Sequence, residues 1–425
     1  MSLMGTTTGT VPCVIVGVVT QHAEEAAFLW ILRDAAVSEP HFSLKDLADL
    51  DERIEAHLDG LRIAGDAGWQ ICVEQLDFEE AGEVFAAGYV AFASDDMERI
   101  QKVIEAARAS TECARGLVSA LGWLPYETVA HRVEQLLTAR DPVLRRIGVA
   151  AAAIHRHDPG VALAEAAANS DPAARARALR AAGELGRTDL LPALREQLTG
   201  DDAACRLWAA WSAALLGETG AVDVLRERAD LETSPGAAAF DMALRRMDLQ
   251  AAHAWREDLA GKPETIRNAI VAAGVIGDPA TIPWLIEQMI APDIARVAGE
   301  AFTMITGVDL AYQDLETDEP EGFAAGPTEE PEDEDVAPDP DEDLPWPDSA
   351  LIGDWWGNHR NEFAQGVRHL VGKPMTDEWL SQVLRTGLQR QRAAAALELV
   401  IRQPGTPLFE IRAPGFRQQK LLAVR

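Results

Sequence analysis

Aromatic residues are scarce in this chain, at 6% with three tyrosines, and alternating Val/Ile/Thr runs are rare outside its two ends. Both shortages point away from a core built of strands, which draws on β-branched and aromatic side chains. The four cysteines, Cys13, Cys72, Cys113 and Cys205, lie far apart and form no Cys-x-x-Cys pair. They are expected to be small buried apolar side chains in a reducing compartment, neither metal ligands nor a disulfide framework. Positive charge is also short. Against 69 Asp and Glu stand 38 Lys and Arg, a net charge of -31, which argues against a large nucleic-acid footprint because phosphate needs a basic stripe. The apolar run 11–19 has no charged region before it and is too short to span a bilayer. A soluble, cytoplasmic protein with no membrane partner is expected. No P-loop and no Gly-x-Ser-x-Gly elbow occurs. The expectation is therefore a protein that is not an enzyme and carries no cofactor and no metal.

What the chain has in quantity is alanine, the best helix former and a residue that lets helices approach closely. It also has a repeat. Asp141-Pro142, Asp171-Pro172 and Asp201-Asp202 follow one another at thirty-residue intervals, and Lys262-Pro263 and Ala291-Pro292 return close to the same beat. Self-similarity at this period, with Pro or Asp opening each second helix, marks stacked helix pairs. Pairs are expected at 126–137 with 142–154, 161–168 with 173–184, 190–198 with 203–216, 221–229 with 237–247, 251–259 with 265–276 and 282–290 with 294–305.

Before the array, 11–19 is the best strand candidate, or an extended arm, and a helix follows over 23–36. Ser43 to Asp46 forms a plausible capping box. Leu44, Leu47, Leu50, Ile54, Leu58 and Leu61 recur at helical spacing on one face. Further helices are expected at 69–76, 79–92 and 96–107. After the array, 317–348 carries fourteen Asp/Glu, seven Pro and no Lys or Arg, the composition of a disordered, self-repelling linker. It could bind a basic partner, fold back on the tail, or space two modules, of which the spacer is the simplest. The segment 350–425 reverses the charge, with eleven Lys/Arg against six Asp/Glu. It is expected to be helical at 361–370, to start a helix at Thr376 that, itself or through a successor, runs on through 393–401, and to end in a short strand at 408–412. The resulting division is 1–95 as a helical cap, 96–313 as the array, 314–348 as the linker and 349–425 as a small module.

Four residues after Pro142, Asp202, Pro263 and Pro292 stand Arg146, Arg206, Arg267 and Arg296, while the Pro172 unit offers Arg175 and Arg177. A helix-start Asp or Pro with Arg one turn later resembles the HEAT-repeat pattern in its short form. The resemblance covers 96–307. It implies an all-α fold, a HEAT-repeat α-solenoid with a small C-terminal α+β module, and a structural role for these arginines on turn carbonyls or on acidic groups of the next unit. HEAT repeats host many functions, so the fold brings no activity with it.

Candidate sites are few. His155, His157 and Asp158 offer ligand atoms, but residues i and i+2 diverge on a helix, and a polar helix end is the simpler reading. HEAT-like di-iron hydroxylases use His-Glu dipeptides, and this chain has none. HEAT-like DNA glycosylases need a basic concave face, and the acidic balance counts against one. Phycobilin lyases share the short repeat, with no residue here to single them out. Trp211 falls in line with Leu207, Ala210 and Ala214 and is expected in the core, while Trp208 is rotated toward the rim as a candidate anchor. Trp346, Trp355, Trp356, His359 and Arg360 crowd into fifteen residues, either a docking surface for another protein or the small module's own core.

The Phe28-Leu29-Trp30 helix, the short repeats, the stretch from Arg390 to Leu399, Pro407-Leu408-Phe409 and the stretch from Ala413 to Gln418 together resemble an uncharacterised bacterial family of HEAT-repeat proteins often encoded among type VI secretion components. That resemblance brings no catalytic residues. It implies a non-enzymatic adaptor or chaperone, with a secretion effector or spike protein as partner. The alternative is an enzyme or ligand-binding protein, lyase-like, with a pocket on the concave face of the solenoid.

Overall fold

The Asp-Pro pairs work as a cap followed by a first helical residue. In the computed structural model, which describes residues 14–323, 325–326 and 339–423, Asp141 accepts from the Val143 N–H at 2.8 Å and Pro142 opens the helix Pro142–Ile154. Asp171 accepts from Ala174 and Asp202 from Cys205, each at 2.8 Å, ahead of Pro172–Glu184 and Ala203–Leu215. Each carboxylate satisfies an otherwise orphaned N–H, and proline lacks only a donor that the first turn could not use.

Twenty-two α-helices and one pair of two-residue strands make up the α-helical and sheet structure of the described residues. Helix pairs recur as the spacing predicts: Val161–Ala167 with Pro172–Glu184, Leu191–Gln197 with Ala203–Leu215, Val222–Glu227 with Ser234–Arg246, Leu249–Ala260 with Ile266–Ile276, and Ile282–Gln288 with Pro292–Thr306. Alanines fill the seams between second helices, among them Ala178, Ala182, Ala210, Ala213, Ala243 and Ala273, all fully buried. None of the described helices is long and apolar enough to cross a membrane.

The recurring arginine stands in a different register from the expected one. Counted from the capping aspartate, Arg145, Arg175 and Arg206 align, and each donates to the carbonyl six residues before it, at Ala139, Asn169 and Gly200. Arg145 makes this bond where Arg146 was expected. The count belongs on the cap because the cap fixes where the helix begins.

The chain divides into two compact units, Met1–Ala35 with Ala48–Leu136, and Ala36–Leu47 with Leu137–Arg425. In the first, Trp30 stacks on Phe85 at 5.5 Å, and Trp123 meets the same ring edge-on at 5.3 Å. Arg33 and Asp51 pair beneath the surface at 2.9 Å. The strand expected at 11–19 is not there. Residues 11–13 lie outside the described residues, and from Val16 the run is already part of the helix Val16–Ala36. Ile15 and Val16 are about two-thirds exposed, so no apolar face rewards a strand, and the helix satisfies its own backbone.

In the second unit the second helices end in turns that share one backbone device. Gly186, Gly217, Gly277 and Gly307 take positive φ, and Arg156 does the same at φ 54 after Pro142–Ile154. The left-handed residue lets a later N–H return to the helix, as His157 does to Ala152 at 3.0 Å and Arg187 to Ala182 at 2.9 Å.

The segment 368–417 then covers these turns, 368–372 lying on the last three and 404–408 on the first three. Val371 donates to Met304, Gly372 to Ile305 and His369 to Gly277. Arg368 donates to the Leu244 and Met247 carbonyls at 3.0 and 2.9 Å, where the repeat has no left-handed glycine. Pro404 lies against Gly217 and Gly405 against Gly186. Leu408 donates to Glu184, and its own carbonyl accepts from Arg156.

The C-terminal module differs in detail from the expected one. The helix Ser349–His359 is followed by a single 3-10 turn at Arg360–Glu362, so 361–370 is not helical. The strands are His369–Leu370 and Lys373–Pro374, antiparallel, while 408–410 has no regular structure and 411–412 is a turn. Thr376 does cap a helix, Asp377–Thr386, and Gln389–Arg402 follows.

The acidic segment is pinned at both ends. Thr317 donates to Trp346 and Asp348 to Leu315, each at 2.9 Å, so its two ends lie side by side. That arrangement corrects the spacer reading, because paired ends separate nothing. Leu315, Leu344 and Asp341 are buried, which removes the edges of the segment from the disorder expected over 314–348. Residues 327–338, with most of the acidic run, lie outside the described residues, as do Met1 to Thr10.

Candidate functional site

Trp356 is 8% exposed and sits with Ile352 against Phe302, Leu285 and Ile305 of the last repeat. Trp355 meets Phe302 edge-on at 5.6 Å and is stacked on the other side by His359 at 4.3 Å, whose Nδ1 also lies 2.8 Å from the Trp355 carbonyl. Trp346 packs against Phe323 at 4.8 Å and lies under the Arg296 guanidinium at 4.5 Å. Arg360 is exposed. Trp355 and Trp356 therefore close the end of the array, while Trp346 covers Arg296. A repeat stack needs a final layer to cover its last apolar face, and Ser349–His359 supplies it.

Trp211 is buried, and Trp208 is half-buried beneath Arg180 at 4.4 Å. Arg180 in turn holds Glu184 at 2.8 Å, and Arg177 holds the other oxygen at 2.9 Å. Burial works to raise the Glu184 carboxyl, but Arg177, Arg180 and Arg156 outweigh it and bring the group down to about 2. His155 faces Arg417 at 3.4 Å, and Asp158 accepts from Arg187 at 2.6 Å. Glu39, His41 and Asp343 gather ligand atoms within 4.8 Å at the surface, a grouping that exposed acidic side chains adopt without an ion.

Arg267 and Arg296 find carboxylates. Arg267 grips Asp341 with two bonds, at 2.8 and 2.5 Å. Arg296 reaches the Asp341 carbonyl at 2.9 Å and Asp339 at 2.5 Å. Residues 339–341 of the acidic segment thus meet the array's arginines, and this stretch lies over the second helices as a strap.

Under that strap is a cavity of about 430 Å³. Its floor comes from Ser234–Arg246, Ile266–Ile276 and Pro292–Thr306, and Gln389–Arg402 and the strap form the rest. Arg245 crosses from the floor to Glu398 at 2.9 Å and also holds Asp241. Glu300 projects from the helix Pro292–Thr306 with Arg390 at 3.8 Å. Spacing along the sequence could not assemble this site, since its walls come from five segments.

A family model described as HEAT repeats matches residues 160–245. The stack has the HEAT-repeat fold. No curated protein and no solved structure matches the chain. HEAT stacks commonly serve as surfaces on which proteins meet, and the match carries no reaction with it.

A second surface was half visible in the sequence. On the helix Val16–Ala36, Phe28, Ile31 and Leu32 are 55%, 49% and 43% exposed. Their spacing of three and four residues puts them on one face, beside the buried Leu29 and Trp30. The Phe28-Leu29-Trp30 run signalled an apolar helix but not which of its side chains face outward.

Proposed function

We propose that this chain is a non-enzymatic protein-binding scaffold, and that Phe28, Ile31 and Leu32 form its principal contact. The exposed face carries the reading. Large apolar side chains clustered on one helix face are characteristic of an interaction site, where scattered ones are ordinary. Covering the exposed half of each would contribute about 0.7–1.5 kcal/mol, enough together for a few residues to dominate an interface. A partner that buries them needs an apolar groove. The resemblance to HEAT-repeat proteins encoded among type VI secretion components supports a secretion effector or spike protein as that partner, with this chain as adaptor.

The test compares the wild type with Phe28→Ser/Leu32→Ser in pull-downs from the native host. Because about half of each side chain faces water, melting temperature is expected to fall only modestly, with the fold retained. A protein recovered with the wild type should be lost with the variant, and its identification checks the secretion assignment separately. Recovery of the same partner by both forms would remove the helix face from the proposal.

A further inference from the structure

The cavity under the strap is a site in its own right, independent of the exposed helix face. At about 430 Å³ it falls in the range of small-molecule pockets, roughly 300–1,000 Å³. Val271, Val275, Met304 and Leu397 line it with hydrocarbon. Two of its arginines are already matched, Arg267 by Asp341 and Arg245 by Asp241 and Glu398.

Glu300 is the exception. Among the described residues no hydrogen bond reaches its carboxyl, and the nearest cation, Arg390, stands 3.8 Å away with its Nε committed to the Ser38 carbonyl. Burial raises this carboxyl above its ordinary value, Arg390 opposes the rise, and Asp341 adds to it. The Glu300 side chain is 19% exposed and opens on the cavity, so it is largely but not wholly withdrawn from water. It has only the loose pair to Arg390, and an incoming cation would supply the close donor it lacks. An incoming anion would find Arg245 and Arg267 already paired and would have to displace Glu300 from Arg390.

We propose that the cavity binds an aliphatic cation, a primary ammonium or guanidinium whose head meets Glu300 and whose stem lies along Val271, Val275 and Met304. The same chemistry is offered by a free alkylamine and by the lysine or arginine side chain of a protein. In either source the hydrocarbon stem displaces cavity water while the head supplies the missing donors.

Calorimetric titration of the full chain with hexylammonium, hexan-1-ol and hexanoate tests the assignment. Hexylammonium is expected to bind one to one, with the neutral and anionic probes weaker by about tenfold or more. Glu300→Gln, close in shape, should lower its affinity by about tenfold at unchanged melting temperature. Val275→Phe, which fills the apolar end, should weaken binding with Glu300 intact. Affinity should rise with pH as Glu300 ionises in the field of Arg390, Arg267, Asp341 and the Arg245–Asp241 pair. A blocked peptide with one lysine, competing with hexylammonium, would assign the head group to a protein side chain, and failure to compete would assign it to a free amine. Equal binding of the three probes, preference for hexanoate, indifference to Glu300→Gln, or no hexylammonium binding by about 10 mM would overturn the proposal.

Discussion

Arg245 donates to Glu398 at 2.9 Å across 153 residues of sequence, with both side chains buried. It is the point at which the repeat stack and the helix Gln389–Arg402 become one body. Asp241 binds the same guanidinium one helical turn away, at 2.9 Å, so each charge in the group has an opposite neighbour.

Removing one member leaves a buried charge without its partner, which costs about 3–5 kcal/mol, whereas replacing the pair by matched apolar groups can be neutral. Arg245→Met, which strands the buried Glu398, is therefore expected to lower stability by about that amount in urea unfolding. Glu398→Ala, which leaves Arg245 with Asp241, should lower it by less. Arg245→Met/Glu398→Leu together should recover much of the loss. Hydrogen exchange should speed up in 389–402 for Arg245→Met and less for the double variant.

Gly277 is held at φ 73, and a Cβ there would collide with the His369 carbonyl. Gly277→Ala combines left-handed strain with loss of the bond from the His369 N–H to the Gly277 carbonyl, 2.7 Å long. Destabilisation of about 1–3 kcal/mol is expected in denaturant titration. Exchange protection should fall first around 368–372, because that segment must move for the methyl to fit.

Glu184 sets an acid limit. Its carboxyl lies below its ordinary value of 4.5, at about 2, so the unfolded chain binds its proton more readily than the folded one. The stabilisation is fully present above about pH 4.5 and is lost as pH falls from there toward 2. Glu184→Gln should flatten this part of a melting-temperature-against-pH profile. An unchanged slope between wild type and variant would show that other carboxylates govern acid unfolding.

The array was legible because its signals are local. A capping aspartate, a following proline and a run of alanines each report on a few neighbouring residues, and Asp141, Asp171 and Asp202 do so three times over. The Leu44 to Leu61 face was legible for the same reason, through periodicity alone. By contrast, the 408–412 segment has the composition of a strand, yet its Leu408 N–H is bonded to the end of a helix more than two hundred residues earlier. The strand pair at 369–374 is too short to leave a pattern. Charge composition suggested that 314–348 is unattached, but composition cannot show that Arg267 and Arg296 stand ready for Asp339 and Asp341. Glu300 was the least visible, an ordinary helix residue until five separate segments enclose it.

The covering of these turns by 368–417 also changes how the molecule can be made. In an open repeat stack each unit meets only its neighbours and can fold as it appears. Here Arg156 waits for Leu408, 252 residues further on. At synthesis rates of about 5–20 residues per second, that wait lasts roughly 10–50 seconds. Throughout that interval the turn after Ile154 is exposed on the ribosome without its covering segment, and the first helix of this unit to be made is the last to be completed.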